Sequence, residues 1–227
     1  MTTLDAALSG TFAIGGDLTI NRLGFGAMRI TGKGIWGPPA DIEEAKATLR
    51  RLPDLNVNFI DTAESYGPYV SETLIGDVLA PYGQGSIIAT KSGLSRSGPD
   101  IWEQIARPEF LRQGVATSLG RLKLEVIDLW QLHRIDAKVP RAEQFGAIAD
   151  MQKEGLIRHV GLSEVSVDDI KEAQKYFKVT TVQNMYNLVS RKAEAVLEFC
   201  EANNIGFIPW RPIDGGNLES TRSEEHT

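Results

Sequence analysis

Leu23-Gly24-Phe25-Gly26-Ala27-Met28-Arg29 leads into the Gly/Pro-rich run of residues 31–39, and this junction decides between two folds. It closes the first of seven short apolar runs, at residues 23–28, 58–63, 86–91, 127–133, 158–164, 180–186 and 205–210. Runs of this kind, rich in Val, Ile and Leu, predict strands buried on both faces of a parallel sheet. Between them, residues 41–53, 71–79, 108–124, 140–154, 166–176 and 191–203 carry a helical period. Pro108 and Pro140 suit a first helical turn, and Ser166 with Asp169 reads as an N-cap followed by an acid. Strands alternating with helices leave a (β/α)8 barrel or an open doubly wound sheet. An open dinucleotide-binding sheet calls for Gly-x-Gly-x-x-Gly opening a helix, whereas Gly24-Phe25-Gly26 runs into a long loop. Residues 11–20, around Gly15-Gly16-Asp17, predict a small hairpin of the kind that plugs a barrel floor. The expected class is α/β, a (β/α)8 TIM barrel with an N-terminal β-hairpin.

Composition narrows the function classes. The 227 residues are 42% hydrophobic and 24% charged, the balance of a globular chain. With 24 Lys+Arg against 30 Asp+Glu the net charge is −6 and no basic patch stands out, so no nucleic-acid partner is expected. A single cysteine excludes a disulfide framework. No charged-then-apolar leader opens the chain and no apolar run reaches the roughly 18 residues of a membrane span, so a cytoplasmic protein is expected.

In a barrel, chemistry gathers where strands end. Asp61 ends the second run and Tyr66 lies in its loop; Lys91 ends the third and His133 the fourth. Ser163 and Glu164 end the fifth, Gln183 and Asn184 the sixth, and Trp210 the seventh. Four ionisable groups on one rim must be paired or desolvated, which points to a site. A tyrosine, with a pKa near 10, is a poor proton donor unless tuned. A neighbouring lysine lowers that pKa, and an aspartate keeps the lysine charged and placed. A histidine directs a carbonyl oxygen by a hydrogen bond. This machinery suits carbonyl reduction with a hydride from a cofactor. A metal site on Asp61, His133 and Glu164 is disfavoured, since only one of the three histidines is well placed; no metal is expected. Cys200 reads as a small buried hydrophobe and His159 as structural.

The motifs Leu23–Met28, Asn58-Phe59-Ile60-Asp61-Thr62-Ala63-Glu64-Ser65-Tyr66-Gly67, Ala89-Thr90-Lys91, Asp128-Leu129-Trp130-Gln131-Leu132-His133, Gly161-Leu162-Ser163, Val182-Gln183-Asn184 and Ile208-Pro209-Trp210 closely resemble the aldo-keto reductase family. Within it, the Ile35-Trp36-Gly37-Pro38-Pro39 loop, His133-Arg134-Ile135-Asp136 and Gly161–Ser166 are most similar to bacterial, pyridoxal-reductase-like aldehyde and ketone reductases. The resemblance implies Tyr66 as general acid, Lys91 and Asp61 as its tuning pair, and His133 as carbonyl orienter. It implies NADPH as cofactor, with Ser163 and Gln183 on the nicotinamide carboxamide and Trp210 stacked on its ring. Gly26, Ala27, Met28, Asp61 and Arg211 complete the expected cofactor-binding set, with Arg211 read as pointing either to solvent or to a cofactor phosphate. Glu164 stands where many members carry Asn. Trp36 reads equally as a wall of the substrate pocket or a cover over the barrel mouth, and Tyr69 is a further pocket candidate. The implied substrate is a small aldehyde or ketone; its identity and the oligomeric state are left open.

The barrel pattern stops near Leu218, before an eighth strand or a basic phosphate-holding loop. Residues 222–227 read, codon for codon, like a translated sequencing adapter. The expectation is therefore a partial barrel domain over residues 1–218 and a non-native or disordered tail over 219–227. The alternative function is a catalytically weak or inactive barrel fragment.

Overall fold

The computed structural model describes residues 4–214. A hairpin of β1 (Thr11–Ile14) and β2 (Leu18–Asn21) precedes β3 (Phe25–Gly26), α1 (Ile42–Arg51), β4 (Phe59–Asp61), α2 (Val70–Leu79) and β5 (Ile87–Ser92). A second hairpin, β6 (Leu94–Gly98) and β7 (Ile101–Gln104), leads to α3 (Pro108–Leu122). Then follow β8 (Ile127–Leu132), α4 (Arg141–Lys153), β9 (Ile157–Ser163), α5 (Val167–Ala173), β10 (Val179–Met185), α6 (Glu194–Ala202) and β11 (Gly206–Trp210).

Seven strands pair in the order β3-β4-β5-β8-β9-β10-β11, all parallel, each joined to the next through a helix. This is the curled parallel sheet of a (β/α)8 barrel, with β3 and β11 outermost among the described residues. The helices begin where local chemistry favours it. Asp41 caps α1 by accepting the Glu44 N–H at 2.9 Å, with Glu43 and Glu44 in the positive first turn. Ser166 and Asp169 form a reciprocal capping box on α5.

The strand period of two sorts the side chains. Ile60, Ile88, Trp130 and Leu132 face the helices and pack with residues such as Leu49, Ile75, Val115 and Phe145. Each such fully buried side chain is worth about 1.5–3 kcal/mol. Phe59, Ile87, Ala89 and Leu129 face inward and meet Ile14, Leu18 and Ile20 of the first hairpin, which closes the floor. Gly15 there, at φ 67°, lies so close to the His159 ring that any side chain would collide with it. His159 Nε2 lies 2.6 Å from Asp17 Oδ1, tying floor to barrel. One step toward the strand ends, the same inward columns continue as Asp61, Lys91 and Gln131. The apolar floor thus becomes a polar rim.

Two local expectations need correction. The first strand is only Phe25–Gly26, because Ala27–Ile30 winds into a 3-10 turn. Pro140 is the extended residue before α4 rather than part of its first turn. The β6–β7 hairpin fills a stretch where the sequence predicts no element. The expectations about an eighth strand and about residues 219–227 lie outside the described residues.

Candidate active site

The loop after β4 sets the rim. Its backbone is anchored to β5 by Thr62 N–H on Ala89 O at 2.8 Å and by Glu64 N–H on Lys91 O at 3.1 Å. This bends Tyr66 back over the strand ends. Lys91, wholly buried, spends its three ammonium hydrogens on Asp61 Oδ2 at 2.6 Å, Thr62 O at 2.8 Å and Tyr66 Oη at 3.3 Å. Asp61 Oδ1 accepts from Gln131 Nε2 at 2.9 Å and from Gln183 Nε2 at 3.1 Å. His133 meets Tyr66 edge to face, ring centroids 5.8 Å apart, and its Nδ1 lies 3.3 Å from Ser65 Oγ.

Burial dominates the electrostatics. The Tyr66 phenol is raised above its usual range by desolvation, with Lys91 pulling the other way and losing. Lys91 acts on the phenol in the expected direction, by charge and by hydrogen bond, but the loss of water outweighs it. Burial also opposes the Lys91 charge, yet Asp61 and Tyr66 together hold its pKa above the ordinary value. His133 lies well below its ordinary value because of burial first, then the charges of Lys91, Arg134 and Arg96. At neutral pH the site therefore holds a neutral phenol, an ammonium paired with a carboxylate, and a neutral imidazole.

Tyr66, His133, Ser163, Gln183, Trp210 and Asp61 line one cavity, as do Gly26, Met28 and Arg211. Ala27 does not: it is completely buried in the core, with its carbonyl accepting the Ser71 hydroxyl at 2.9 Å. Trp36 does not line the cavity either. Its backbone bridges to Gly67 and its ring lies 5.7 Å from the Arg96 guanidinium, while the neighbouring Ile35 reaches the cavity wall. Tyr69, at φ 69° before α2, turns outward, 51% exposed, with Arg121 over its ring. Asp61, His133 and Glu164 gather into no metal-ligand cluster.

Two contributors, Trp102 and Arg96, escaped the sequence reading. Trp102 of β7 lines the cavity with its ring 6.5 Å from Tyr66. The Gly98-Pro99-Asp100 turn signal between two short β-prone stretches could have revealed its hairpin. Arg96 stacks 3.6 Å from the Trp102 ring and donates to the carbonyls of Ile35, Ser65, Gly34, Gly98 and Ile101. It staples three rim segments together. Glu164, at φ 55°, accepts from Trp210 Nε1 at 2.6 Å and from Met185 N–H at 2.7 Å, so its carboxylate fixes the indole plane. Arg211, also at φ 55°, has its guanidinium 5.8 Å from the Trp210 ring and its carbonyl bound by Asn187.

The aldo/keto reductase family model matches residues 22–227. The chain belongs to the aldo/keto reductase family. Members act on small carbonyl compounds with nicotinamide cofactors. Among the relatives of this aldo/keto reductase is an uncharacterized oxidoreductase of Schizosaccharomyces pombe, 61% identical over 215 residues, covering 95% of this chain and 70% of that protein. A pyridoxine 4-dehydrogenase of Escherichia coli is 36% identical over 213 residues, covering 91% of this chain and 74% of its own length. Of solved structures, a glycerol dehydrogenase from Gluconobacter oxydans superposes with a TM-score of 0.87 at 31% identity, covering 96% of this chain and 68% of that one. An aldo-keto reductase from Bacillus halodurans, in its holo form, gives a TM-score of 0.75 at 26% identity, with coverages of 88% and 65%.

Proposed function

We propose that this family member transfers a hydride from NADPH to the carbonyl carbon of a small aldehyde or ketone, with Tyr66 as the proton donor. The observation that carries this reading is the buried Tyr66–Lys91–Asp61 chain beside a neutral His133. Tyr66 keeps its proton at neutral pH, so the phenol is loaded as an acid. As the proton leaves Oη for the carbonyl oxygen, the new phenolate lies 3.3 Å from the Lys91 ammonium, which offsets its charge. Asp61 keeps that ammonium in place from the opposite side. Ser65 Oγ–H donating to His133 Nδ1 leaves the proton on Nε2, which then donates to the carbonyl oxygen and sets its direction.

The cavity chemistry fits a nicotinamide. Ser163 Oγ accepts from Arg134 and retains its own hydroxyl proton to donate. Gln183 uses its amide nitrogen on Asp61, leaving its carbonyl to accept. One donor and one acceptor match the two ends of a carboxamide. Trp210, its plane fixed by Glu164, offers the stacking face, and Gly26, Met28 and Arg211 complete the wall. A nicotinamide bound here supplies the hydride. NADPH rather than NADH follows the sequence resemblance. The proposed setting is the cytoplasm; among the described residues no helix is long and apolar enough to cross a membrane.

The test is NADPH oxidation, followed at its nicotinamide absorbance, across a panel of aldehydes and ketones. Turnover that survives in Tyr66→Phe at the parent rate would overturn the assignment of the proton donor.

A further inference from the structure

Two arginines stand beside the reacting groups, and they differ in how their donors are spent. Arg96 uses all three of its guanidinium nitrogens on backbone carbonyls. It is saturated, and it does not line the cavity. Arg134 follows His133 directly and lines the cavity together with Tyr66 and His133. Only its Nη1 is spent, on its neighbour's carbonyl, His133 O, at 2.5 Å and on Ser163 Oγ at 3.0 Å. Among the described residues, Nε and Nη2 have no hydrogen-bond partner, and no carboxylate lies within ion-pairing distance of the guanidinium. Glu164, the acid whose charge it feels most, is held by Trp210 and Met185 instead.

A partly buried guanidinium without a counter-ion is unfavourable unless a ligand completes it. The open Nε–Nη2 edge is the side of a guanidinium that pairs bidentately with a carboxylate. Field direction agrees. Asp61 is neutralised by Lys91 and His133 is uncharged, so Arg134 leaves the reacting end of the cavity net positive. On its other side, Arg134 borders a smaller cavity lined by Asp136, Glu164, Asp169 and Arg141; Arg141 pairs with Asp169, so Asp136 and Glu164 make that side less favourable to an anion. A carboxylate is therefore drawn to the Tyr66 side.

We infer that Arg134 selects carbonyl substrates that also carry a carboxylate, pairing with it while Tyr66 and His133 engage the carbonyl oxygen. This rests on the carbonyl-reductase reading and names its substrate class. Arg134 acts here as a specificity residue; it gives up no proton and takes part in no bond change.

The experiment compares kcat/KM for 2-, 3- and 4-formylbenzoate with that for each methyl ester, in the parent chain, Arg134→Met and Arg134→Lys. Equilibrium binding of the same aldehydes and of NADPH is followed by tryptophan fluorescence. For at least one ring position, the carboxylate should exceed its ester by about tenfold or more, the ratio corresponding to 1.4 kcal/mol. That ratio should fall to about one in Arg134→Met, remain partly in Arg134→Lys, and shrink as salt is raised. Equal use of acid and ester by the parent chain, or a preference that survives in Arg134→Met, overturns the inference. So does a variant that loses only NADPH affinity, since the anion held would then be the cofactor's phosphate. Arg134-dependent binding of a formylbenzoate with no turnover of any aldehyde would instead retain the anion site and overturn the reductase reading. Tyr66-dependent reduction without carboxylate preference would do the reverse.

Discussion

Replacing Glu64 by Gln should make the protein more stable, and increasingly so as pH rises. Glu64 lies two residues before Tyr66 and is 4% exposed, with its Oε1 lacking any hydrogen-bond partner. Nearby, the fully buried Glu72 takes the Arg121 Nε–H at 2.7 Å and the Thr90 hydroxyl at 2.5 Å. Burial, and then the Glu72 charge, push the Glu64 carboxyl from 4.5 up to about 8. The folded protein therefore binds more protons than the unfolded chain between these two values. Stability from this group is complete below pH 4.5 and is lost as pH climbs to about 8. At 1.36 kcal/mol per pH unit, the loss is about 3 kcal/mol at pH 7 and about 5 kcal/mol above pH 8. Gln keeps the shape and cannot ionise. For a chain of this size each kcal/mol is worth roughly 2–4 °C. Thermal unfolding at pH 5 should give similar Tm values for the two proteins, and at pH 9 the variant should melt about 10 °C or more higher. Parallel Tm-against-pH curves would refute the reasoning, since Glu64 would then titrate alike in both states.

Other outcomes follow from the same geometry. Tyr66→Phe should lower kcat by about 10²–10⁴ while leaving NADPH binding unchanged in a fluorescence titration. Because His133 is held well below its usual range and Tyr66 above its own, kcat/KM for reduction should stay flat from about pH 6 to about pH 9. It should fall only on the alkaline side, where the phenol loses its proton; a limb near the ordinary histidine value in a pH–rate profile would contradict this. Glu164→Ala should weaken NADPH binding by about tenfold, because the Trp210 indole loses a charge-assisted bond that fixes its plane. Arg96→Met should raise KM for the carbonyl substrate and speed amide exchange around Gly34 and Gly98, with the NADPH dissociation constant little changed.

The parallel sheet was legible because its strands are buried on both faces. Runs such as Ile87–Ser92 and Val179–Met185 leave no polar alternation to confuse with a half-exposed hairpin. The β6–β7 hairpin offers the opposite case: β7 is largely exposed and short, so its run carries no core signal, and Trp102 went unnoticed with it. The strand-end residues could be read from their position along each run. Their side-chain directions could not where backbone torsion intervenes, as at Tyr69, whose left-handed φ turns the ring away from the cavity. Nor does sequence distinguish Arg96, with every nitrogen engaged, from Arg134, with one edge open. That difference depends on which carbonyls the fold brings within reach. The net direction of the Tyr66 shift is not legible in the sequence, because desolvation is a property of packing rather than of neighbouring charges.

The Arg96 staple also dates the assembly of the rim. Its partners Ile35 and Ser65 are 61 and 31 residues away along the chain, so its bonds to them close only after β3, β4 and β5 are in register. Long closures of this kind are entropically late events in folding. A competent rim is thus a report that β3, β4 and β5 have already paired beneath it, so no catalysis is expected from states in which those strands are apart.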